Sequence, residues 1–247
     1  MVFRKKEVRE VLLIVQARVG STRLPRKVLL DLCGKSVIQR VLERIKNSVL
    51  VDKFILAMPD TPENDILSNF AKTNDFYLFR GNENDVLDRF YQATRDLCNN
   101  QQDELIIIRV CADNPFVDSY EIDRLIGFFL KGDYDYAFNH IPALDNMYPD
   151  GLGAEILKFS VLKYIWEKAD RLVQKEHVTK YIWDNMKEFR IGVLKAPPSI
   201  AYPEIKLDVD TEEDFKWLEK LYRKLIKRNG EVNFSGAEIV ACAQNIS

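Results

Sequence analysis

At 247 residues, with 47% hydrophobic and 30% charged residues, the chain has the composition of a soluble globular protein that can bury a sizeable core. A formal net charge of −2 excludes a nucleic-acid binder that depends on overall positive charge, so any anion site must be a local pocket. No apolar run is long enough to span a membrane, and the first residues, MVFRKKEVRE, lack the apolar core of a signal peptide. Four scattered cysteines without a C-x-x-C motif predict free thiols in a reducing compartment. We therefore expect a cytoplasmic protein that binds neither nucleic acid nor membrane.

The first predicted element is a short buried strand from Val11 to Val15, which leads into a basic loop. No acidic residue lies between Gln16 and Leu30 to neutralise that loop. In open α/β sheets, ligands bind beyond the carboxyl ends of the strands, so the loop predicts a polyphosphate site. Its candidate contacts are Arg18, Gly20, Ser21, Arg23 and Lys27. The loop contains neither G-x-x-x-x-G-K-[ST] nor G-x-G-x-x-G, and on charge alone a solvated basic loop is the alternative.

Helices and strands then alternate along the first half of the chain. Ser36 is a predicted N-cap for a helix with apolar residues at helical spacing from Val37 to Ile45. A strand from Lys53 to Met58, a helix capped by Thr61 with Pro62 at its first position, and a strand from Phe76 to Phe79 follow. This β-α-β-α-β order predicts a mostly parallel sheet with helices on both faces.

The segment from Leu105 to Val110 is the most hydrophobic predicted strand and should be central. It ends in Cys111-Ala112-Asp113, and a carboxylate at the end of a central strand is costly to bury without a partner. Mg²⁺ prefers oxygen ligands together with substrate phosphates, so Asp113 is a candidate magnesium ligand. An Asx-turn or helix cap before Asn114-Pro115 is the alternative role for Asp113.

The second half supplies the predicted acceptor pocket. Helices are predicted over 119–130 and 212–227, the latter capped by Thr211, and strands over 134–139, around 154–156, over 189–194 and over 204–209. The candidate polar contacts of the pocket are Asn139, Asp150, Glu155 and His177. A structural role is the alternative for His177. Without repeats, low-complexity tracts or a flexible linker, residues 1–247 should form a single domain.

Several motifs together resemble one family. They are QARVGSTRLPRKVL, FRGNENDVLDRFY, RVCADNPFVD, YPDGLGAEIL, KEHVTKYI and LDVDTEEDF, in this order from about Val11 to Leu225. This set is similar to the SpsF-like cytidylyltransferases, relatives of the CMP-KDO and CMP-sialic acid synthetases. The resemblance implies a Rossmann-like nucleotide-diphospho-sugar transferase fold, with a nucleotide-binding half over about 9–118 and an acceptor-binding half over about 119–247. A homodimer is the family expectation.

The resemblance also implies an activity and assigns further residues. The enzyme would transfer CMP from CTP to a sugar acid or a phosphorylated sugar or polyol, releasing pyrophosphate, in surface polysaccharide biosynthesis. By resemblance, Asp210 joins Asp113 as a Mg²⁺ ligand and Arg80 recognises the cytosine. The remaining nucleotide contacts taken from the matched motifs are Gln16, Ala17 and Ala112, the last standing where the family usually has glycine. The implied catalytic residues are Arg18, Lys27, Asp113 and Asp210.

Two other functions are open at this point. Asp208-Val209-Asp210 and Asp133-Tyr134-Asp135 are D-x-D sequences, as in metal-dependent glycosyltransferases that use nucleotide sugars. An inactive nucleotide-binding regulator is the second alternative. The basic loop fits a triphosphate better than a diphosphate sugar, and retention of the cations and both aspartates disfavours the regulator.

Overall fold

One seven-stranded sheet, in the order β3-β2-β1-β4-β6-β5-β7, organises the described residues of the computed structural model, which are 10–97, 105–229 and 234–246. The strands are β1 Val11–Gln16, β2 Lys53–Pro59, β3 Tyr77–Gly81, β4 Ile106–Cys111, β5 Tyr136–Phe138, β6 Glu155–Lys158 and β7 Ile191–Val193. Strands β3, β2, β1 and β4 are parallel, β6 is antiparallel to β4 and β5, and β7 is parallel to β5. The predicted mostly parallel sheet is confirmed, and β4 occupies its central position.

Helices cover both faces of this sheet, as predicted. They are α1 Val37–Ile45, α2 Asp65–Asn74, α3 Val86–Leu97, α4 Ser119–Lys131, α5 Phe159–Lys168, α6 Leu172–Glu176, α7 Lys180–Asp184, α8 Glu212–Asn229 and α9 Gly236–Ala243. Alternate residues of β1 point to opposite faces: Leu13 and Val15 pack with α1, α2, α4, α8 and α9, whereas Leu12 and Ile14 pack with α3, α5 and α7. The two cores therefore hold β1 and β4 rigidly between them, which fixes the loops that leave their carboxyl ends.

Two of the three predicted helix N-caps, Ser36 and Thr211, are present, whereas Thr61 does not act as a cap. The side chain of Ser36 accepts a hydrogen bond from Gln39 N, and Thr211 Oγ1 accepts one from Asp214 N, as expected of N-caps. Thr61 does not cap a backbone N–H: its hydroxyl accepts from the side-chain amide of Asn64 at 2.7 Å, and Pro62 begins a short 3₁₀ helix, Pro62–Asn64, that precedes α2.

The segment 204–209 is not the strand that its sequence predicts: it forms one isolated β-bridge, between Lys206 and Asp150. Its backbone pairs with two loops: Leu207 N donates to Asp150 O at 2.9 Å, and Val209 N donates to Asp113 O at 2.9 Å. Gly151, at φ 81°, permits this approach, because a Cβ atom there would lie 2.9 Å from the backbone nitrogen of Asp208. The segment thereby delivers Asp208 and Asp210 to the end of β4.

Two further expectations concern membrane-spanning helices and the state of the cysteines. Among the described helices, none has the length and apolar character needed to cross a bilayer. Cys33, Cys111 and Cys242 are free thiols, as predicted. Cys98 and residues 1–9, where a signal peptide would begin, lie outside the described residues.

Candidate active site

A polar cleft of about 350 Å³ opens where the carboxyl ends of β1 and β4 meet. Its lining residues are Gln16, Arg18, Ser21, Thr22, Arg23, Lys27, Val28, Cys111, Ala112, Asp113, Glu176, His177 and Asp210. The cleft therefore unites the basic loop, the end of the central strand and the acidic segment before α8. This is the position at which open α/β sheets bind ligands.

The basic loop is held in shape by bonds that the sequence motif does not reveal. The buried side chain of Asn64 accepts a hydrogen bond from Val19 N at 2.8 Å. Arg26 adopts a left-handed conformation, with φ 61°, and its N–H donates to Val19 O. The reversal at Arg26 starts the 3₁₀ helix Lys27–Leu29, which directs the Lys27 side chain into the cleft.

Lys27 lies at the centre of the site. Its Nζ is 2.7 Å from Asp113 Oδ2 and 3.1 Å from Asp210 Oδ1, and it donates to Val209 O at 2.6 Å. Burial alone would lower the pKa of Lys27, but the two carboxylates outweigh it and raise the pKa above its ordinary value. The structure therefore brings together Asp113 and Asp210, which are 97 positions apart in the sequence.

Further charges surround Asp210. Arg23 Nη1 donates to Asp210 Oδ2 at 2.9 Å, and Lys206 Nζ lies 3.6 Å from the same oxygen. Burial, with a further contribution from Asp150, raises the pKa of Asp208 to about 7. Burial also raises the pKa of Asp150, which belongs to the same acidic neighbourhood but does not line the cleft, so its role as an acceptor contact stays a prediction.

The helix α6 also borders the cleft, through Glu176. Arg18 Nη2 lies 3.9 Å from Glu176 Oε1, an exposed and therefore weak ion pair that leaves Arg18 available to a ligand. The neighbouring residue, His177, also lines the cleft. Of the four predicted acceptor contacts, His177 is the one that lines the cleft.

A buried polar layer continues from the cleft along the sheet. Arg109 Nε donates to Gln16 Oε1 at 3.2 Å, and its Nη1 donates to Glu155 Oε2. Glu155 Oε1 accepts from the hydroxyls of Tyr136 and Thr179, each at 2.6 Å. Burial by itself raises the pKa of Glu155, but its charged and hydrogen-bonding neighbours outweigh burial and lower it to about 2.

Several predicted contacts lie outside the cleft lining. Asn139 is fully buried: its side chain accepts from Ala154 N and donates to Glu121 O. Glu155 is 1% exposed and belongs to the polar layer. Both side chains are therefore occupied by the protein itself. The sequence did not identify Arg109, Asn64 or Glu176 as site residues, because each acts through a partner distant in the chain.

Three of the predicted nucleotide contacts also lie outside the cleft lining: Arg80, Gly20 and Ala17. Arg80 donates to Asp60 at 2.7 Å and to Asp65 at 2.6 Å, beside the carboxyl end of β3. Gly20 lies next to Glu63, in a shallow depression that adjoins the cleft and shares Ser21 with it. Ala17 is buried, and its N–H donates to Ala57 O, so only its backbone shapes the loop. Contact between Arg80 and a ligand would require exchange of its acidic partners.

The donor set fits a magnesium ion. Asp113 and Asp210 offer carboxylate oxygens that already share one cation, and no third His, Cys, Asp or Glu completes a protein-only metal cage in the described part of the chain. Mg²⁺ is commonly held by one or two carboxylates plus substrate phosphates, which is the arrangement that this cleft allows.

Known proteins are similar to this chain over most of its length. The model of the cytidylyltransferase family matches residues 12–236. The chain is 34% identical over 226 residues to the spore coat polysaccharide biosynthesis protein SpsF of Bacillus subtilis, covering 89% of each chain. It is also 34% identical over 227 residues to an uncharacterised protein of Methanocaldococcus jannaschii, covering 92% of this chain and 87% of that one. A cytidylyltransferase structure from Leptospira borgpetersenii superposes with a TM-score of 0.83 at 25% identity, over 97% of this chain and 98% of that chain.

Proposed function

The chain belongs to the cytidylyltransferase family, and from that premise we propose that it transfers CMP from CTP to an acidic or phosphorylated sugar-like acceptor. Family membership makes it a CTP-using nucleotidyltransferase. The observation that supports the specific reaction is the convergence of Arg23, Lys27, Asp113 and Asp210 at one end of the cleft. These groups match a triphosphate with its metal ion.

In the proposed reaction, an acceptor oxygen forms a bond to the α-phosphorus of CTP; a phosphate or carboxylate oxygen attacks as the anion, and a hydroxyl gives up its proton to solvent. The bond from that phosphorus to the bridging oxygen breaks, and pyrophosphate leaves with the electron pair. The barrier depends mainly on positioning and on the stabilisation of negative charge. Arg18, Arg23 and Lys27 would bind the β- and γ-phosphates and stabilise the departing pyrophosphate. A nucleophilic protein side chain is not required.

Asp113 and Asp210 would hold Mg²⁺, which when bound supplies Lewis-acid stabilisation of phosphate charge. Lys27 donates to three protein oxygens, which uses all three of its N–H groups. Contact between Lys27 and a phosphate therefore requires exchange of at least one of these partners. Lys27 would thus couple the two carboxylates to the arrival of the nucleotide.

The acceptor would bind at the end of the cleft formed by Gln16, Glu176 and His177. SpsF is named for spore coat polysaccharide biosynthesis, and the SpsF-like family that the sequence resembles is related to the CMP-KDO and CMP-sialic acid synthetases. A sugar acid, or a phosphorylated sugar or polyol, is the acceptor class that these relationships support. A role in surface polysaccharide biosynthesis, action in the cytoplasm and assembly as a homodimer are parts of the same proposal.

The test is pyrophosphate release from CTP and Mg²⁺ with a panel of anionic sugars and polyols. It is preceded by thermal melting with CTP, UTP, ATP and GTP, because a ligand that binds only the folded state raises the melting temperature. Stabilisation by CTP alone and acceptor-dependent pyrophosphate release support the proposal. Release of a nucleoside diphosphate from a nucleotide sugar indicates a glycosyltransferase instead, and nucleotide binding with neither product indicates a regulator.

A further inference from the structure

An arginine, Arg109, lies beneath Gln16, which lines the cleft. Arg109 and Cys111 lie two residues apart on β4 and therefore face the same side of the sheet. Cys111 lines the cleft and pairs in register with Gln16, which also lines it. Arg109 is thus one step below the cleft surface, with its guanidinium group beside the Gln16 side chain.

Two of the three guanidinium nitrogens of Arg109 have fixed partners. Nε donates to Gln16 Oε1 at 3.2 Å, and Nη1 donates to Glu155 Oε2. Nη2 has no protein partner among the described residues, yet it is not one of their buried unpaired polar atoms. The Arg109 side chain is 13% exposed. Arg109 Nη2 is therefore in contact with solvent, while Nε and Nη1 are held by Gln16 and Glu155.

Glu155, a predicted acceptor contact, is 1% exposed, and its carboxylate is engaged by protein groups. Its carboxylate accepts hydrogen bonds from the side chains of Arg109, Tyr136 and Thr179. His140 Nε2 also lies 3.8 Å from Glu155 Oε2. Those contacts hold the carboxylate in one place, and with it the plane of the Arg109 guanidinium. Thr179 follows His177 by two residues, so the same carboxylate ties the acceptor end of the cleft to β4.

The charges are arranged for two separate anions. Lys27 and Arg23 lie with the aspartates at one end, where the triphosphate is proposed to bind. Arg109 is a separate cation, fixed beneath Gln16, where the acceptor is proposed to bind. A prepositioned guanidinium with a free N–H group binds a carboxylate or phosphate oxygen at little entropic cost.

We propose that Arg109, held by Glu155 and Gln16, binds the anionic group of the acceptor through Nη2 and thereby selects acidic or phosphorylated acceptors over neutral ones. This inference rests on the proposed function, because it assumes an acceptor beside CTP. The shared chemistry is an anionic oxygen. It can come from a sugar-acid carboxylate or from a sugar or polyol phosphate, which the assay tests separately.

The experiment compares Arg109→Lys with the wild type in pyrophosphate release from CTP and Mg²⁺. The acceptors are 3-deoxy-manno-octulosonate, N-acetylneuraminate, a hexose 1-phosphate, glycerol 3-phosphate and the neutral parent sugars. Lysine keeps a charge beside Glu155 but removes the planar, two-sided donor. Arg124→Lys is the matched control, since Arg124 also pairs with a buried glutamate, Glu121, away from the cleft.

The expected result is an increase of at least about tenfold in the KM for the anionic acceptor, with the KM for CTP within about twofold of the wild type. Arg124→Lys should change neither value. Equal changes in both KM values, or no change, would overturn the proposal. If Arg109→Lys does not fold, the double variant Arg109→Met with Glu155→Gln removes both charges together and replaces it.

Failure of the proposed function gives a different pattern. If the wild type releases no pyrophosphate with any acceptor, saturation-transfer NMR with CTP present measures binding of the same compounds. Anionic compounds bound by the wild type and released by Arg109→Lys support the role of Arg109 even though the transfer proposal fails. Binding of no anionic compound overturns the role of Arg109, while the melting shift with CTP reports separately on the nucleotide end.

Discussion

Replacement of Lys27 by methionine tests the centre of the site most directly. The change removes a cation that lies 2.7 Å from Asp113 and 3.1 Å from Asp210 and leaves two like charges facing each other. A hydrogen bond to a charged group contributes about 1.5–3 kcal/mol, and removal of one partner leaves the other unsatisfied. The carboxylates are 24% and 21% exposed, so water partly replaces the lost contacts.

We therefore expect Lys27→Met to lower the free energy of unfolding by about 2–3 kcal/mol, which for a chain of this size is a fall of about 4–12 °C in melting temperature. The pKa of Lys27 is raised in the folded protein, so its stabilisation is complete below the unfolded pKa and declines only as pH rises through the folded value. The difference between variant and wild type should thus stay constant from about pH 6 to pH 9.

The same variant tests the magnesium assignment. Without Lys27, the two carboxylates lack their shared cation, so Mg²⁺ should bind them more tightly and raise the melting temperature more than in the wild type. A tenfold gain in affinity corresponds to about 1.4 kcal/mol of extra stabilisation at saturating metal, or about 3–6 °C.

The assay is thermal melting by circular dichroism with and without Mg²⁺. Lys35→Met is the matched control, because Lys35 pairs with Glu43 at 2.8 Å on the surface and should contribute less than about 1 kcal/mol. Two results together would refute the reasoning: a Lys27→Met melting temperature equal to that of the wild type, and an equal Mg²⁺ shift in both proteins.

Three further predictions concern other parts of the site. Asp113→Asn should lower the rate of pyrophosphate release by about 10²-fold or more, because one oxygen ligand of Mg²⁺ is lost, while far-ultraviolet circular dichroism stays unchanged. Tyr136→Phe should cost about 1.5–3 kcal/mol at pH 7, because its hydroxyl donates to the Glu155 carboxylate. Cys111 should react slowly with iodoacetamide at pH 8 although it lines the cleft, since burial raises the pKa of its thiol to about 12.

Each of these predictions has a result that would contradict it. Full activity of Asp113→Asn with Mg²⁺ would remove Asp113 from the metal site. The pKa of Glu155 is lowered in the folded protein, so the Tyr136→Phe deficit should be complete above about pH 4.3 and shrink as pH falls toward 2. A deficit that does not change between pH 7 and pH 3 would contradict that linkage. Alkylation of Cys111 as fast in the native as in the urea-unfolded protein, measured by mass spectrometry, would contradict its raised pKa.

Neighbouring residues in the sequence predicted most of the helices and strands and the cations of the candidate site. The apolar run at Val11, the alternation of strands and helices, and the Ser36 cap depend on neighbours a few positions away, so the sequence predicted the parallel sheet correctly. The loop cations were visible for the same reason: no acidic residue nearby could neutralise Arg18, Arg23 or Lys27.

Which charges come into contact depends on how the chain folds in three dimensions. Lys27 and Asp210 are 183 positions apart, and Arg109 and Glu155 are 46 apart, so no local pattern reveals either pair. The predicted strand over 204–209 is wrong for a related reason: its backbone bonds go to distant loops. Hydrogen bonds and charge pairing depend on distance in space, which the chain settles only when β1, β4 and the segment before α8 pack together.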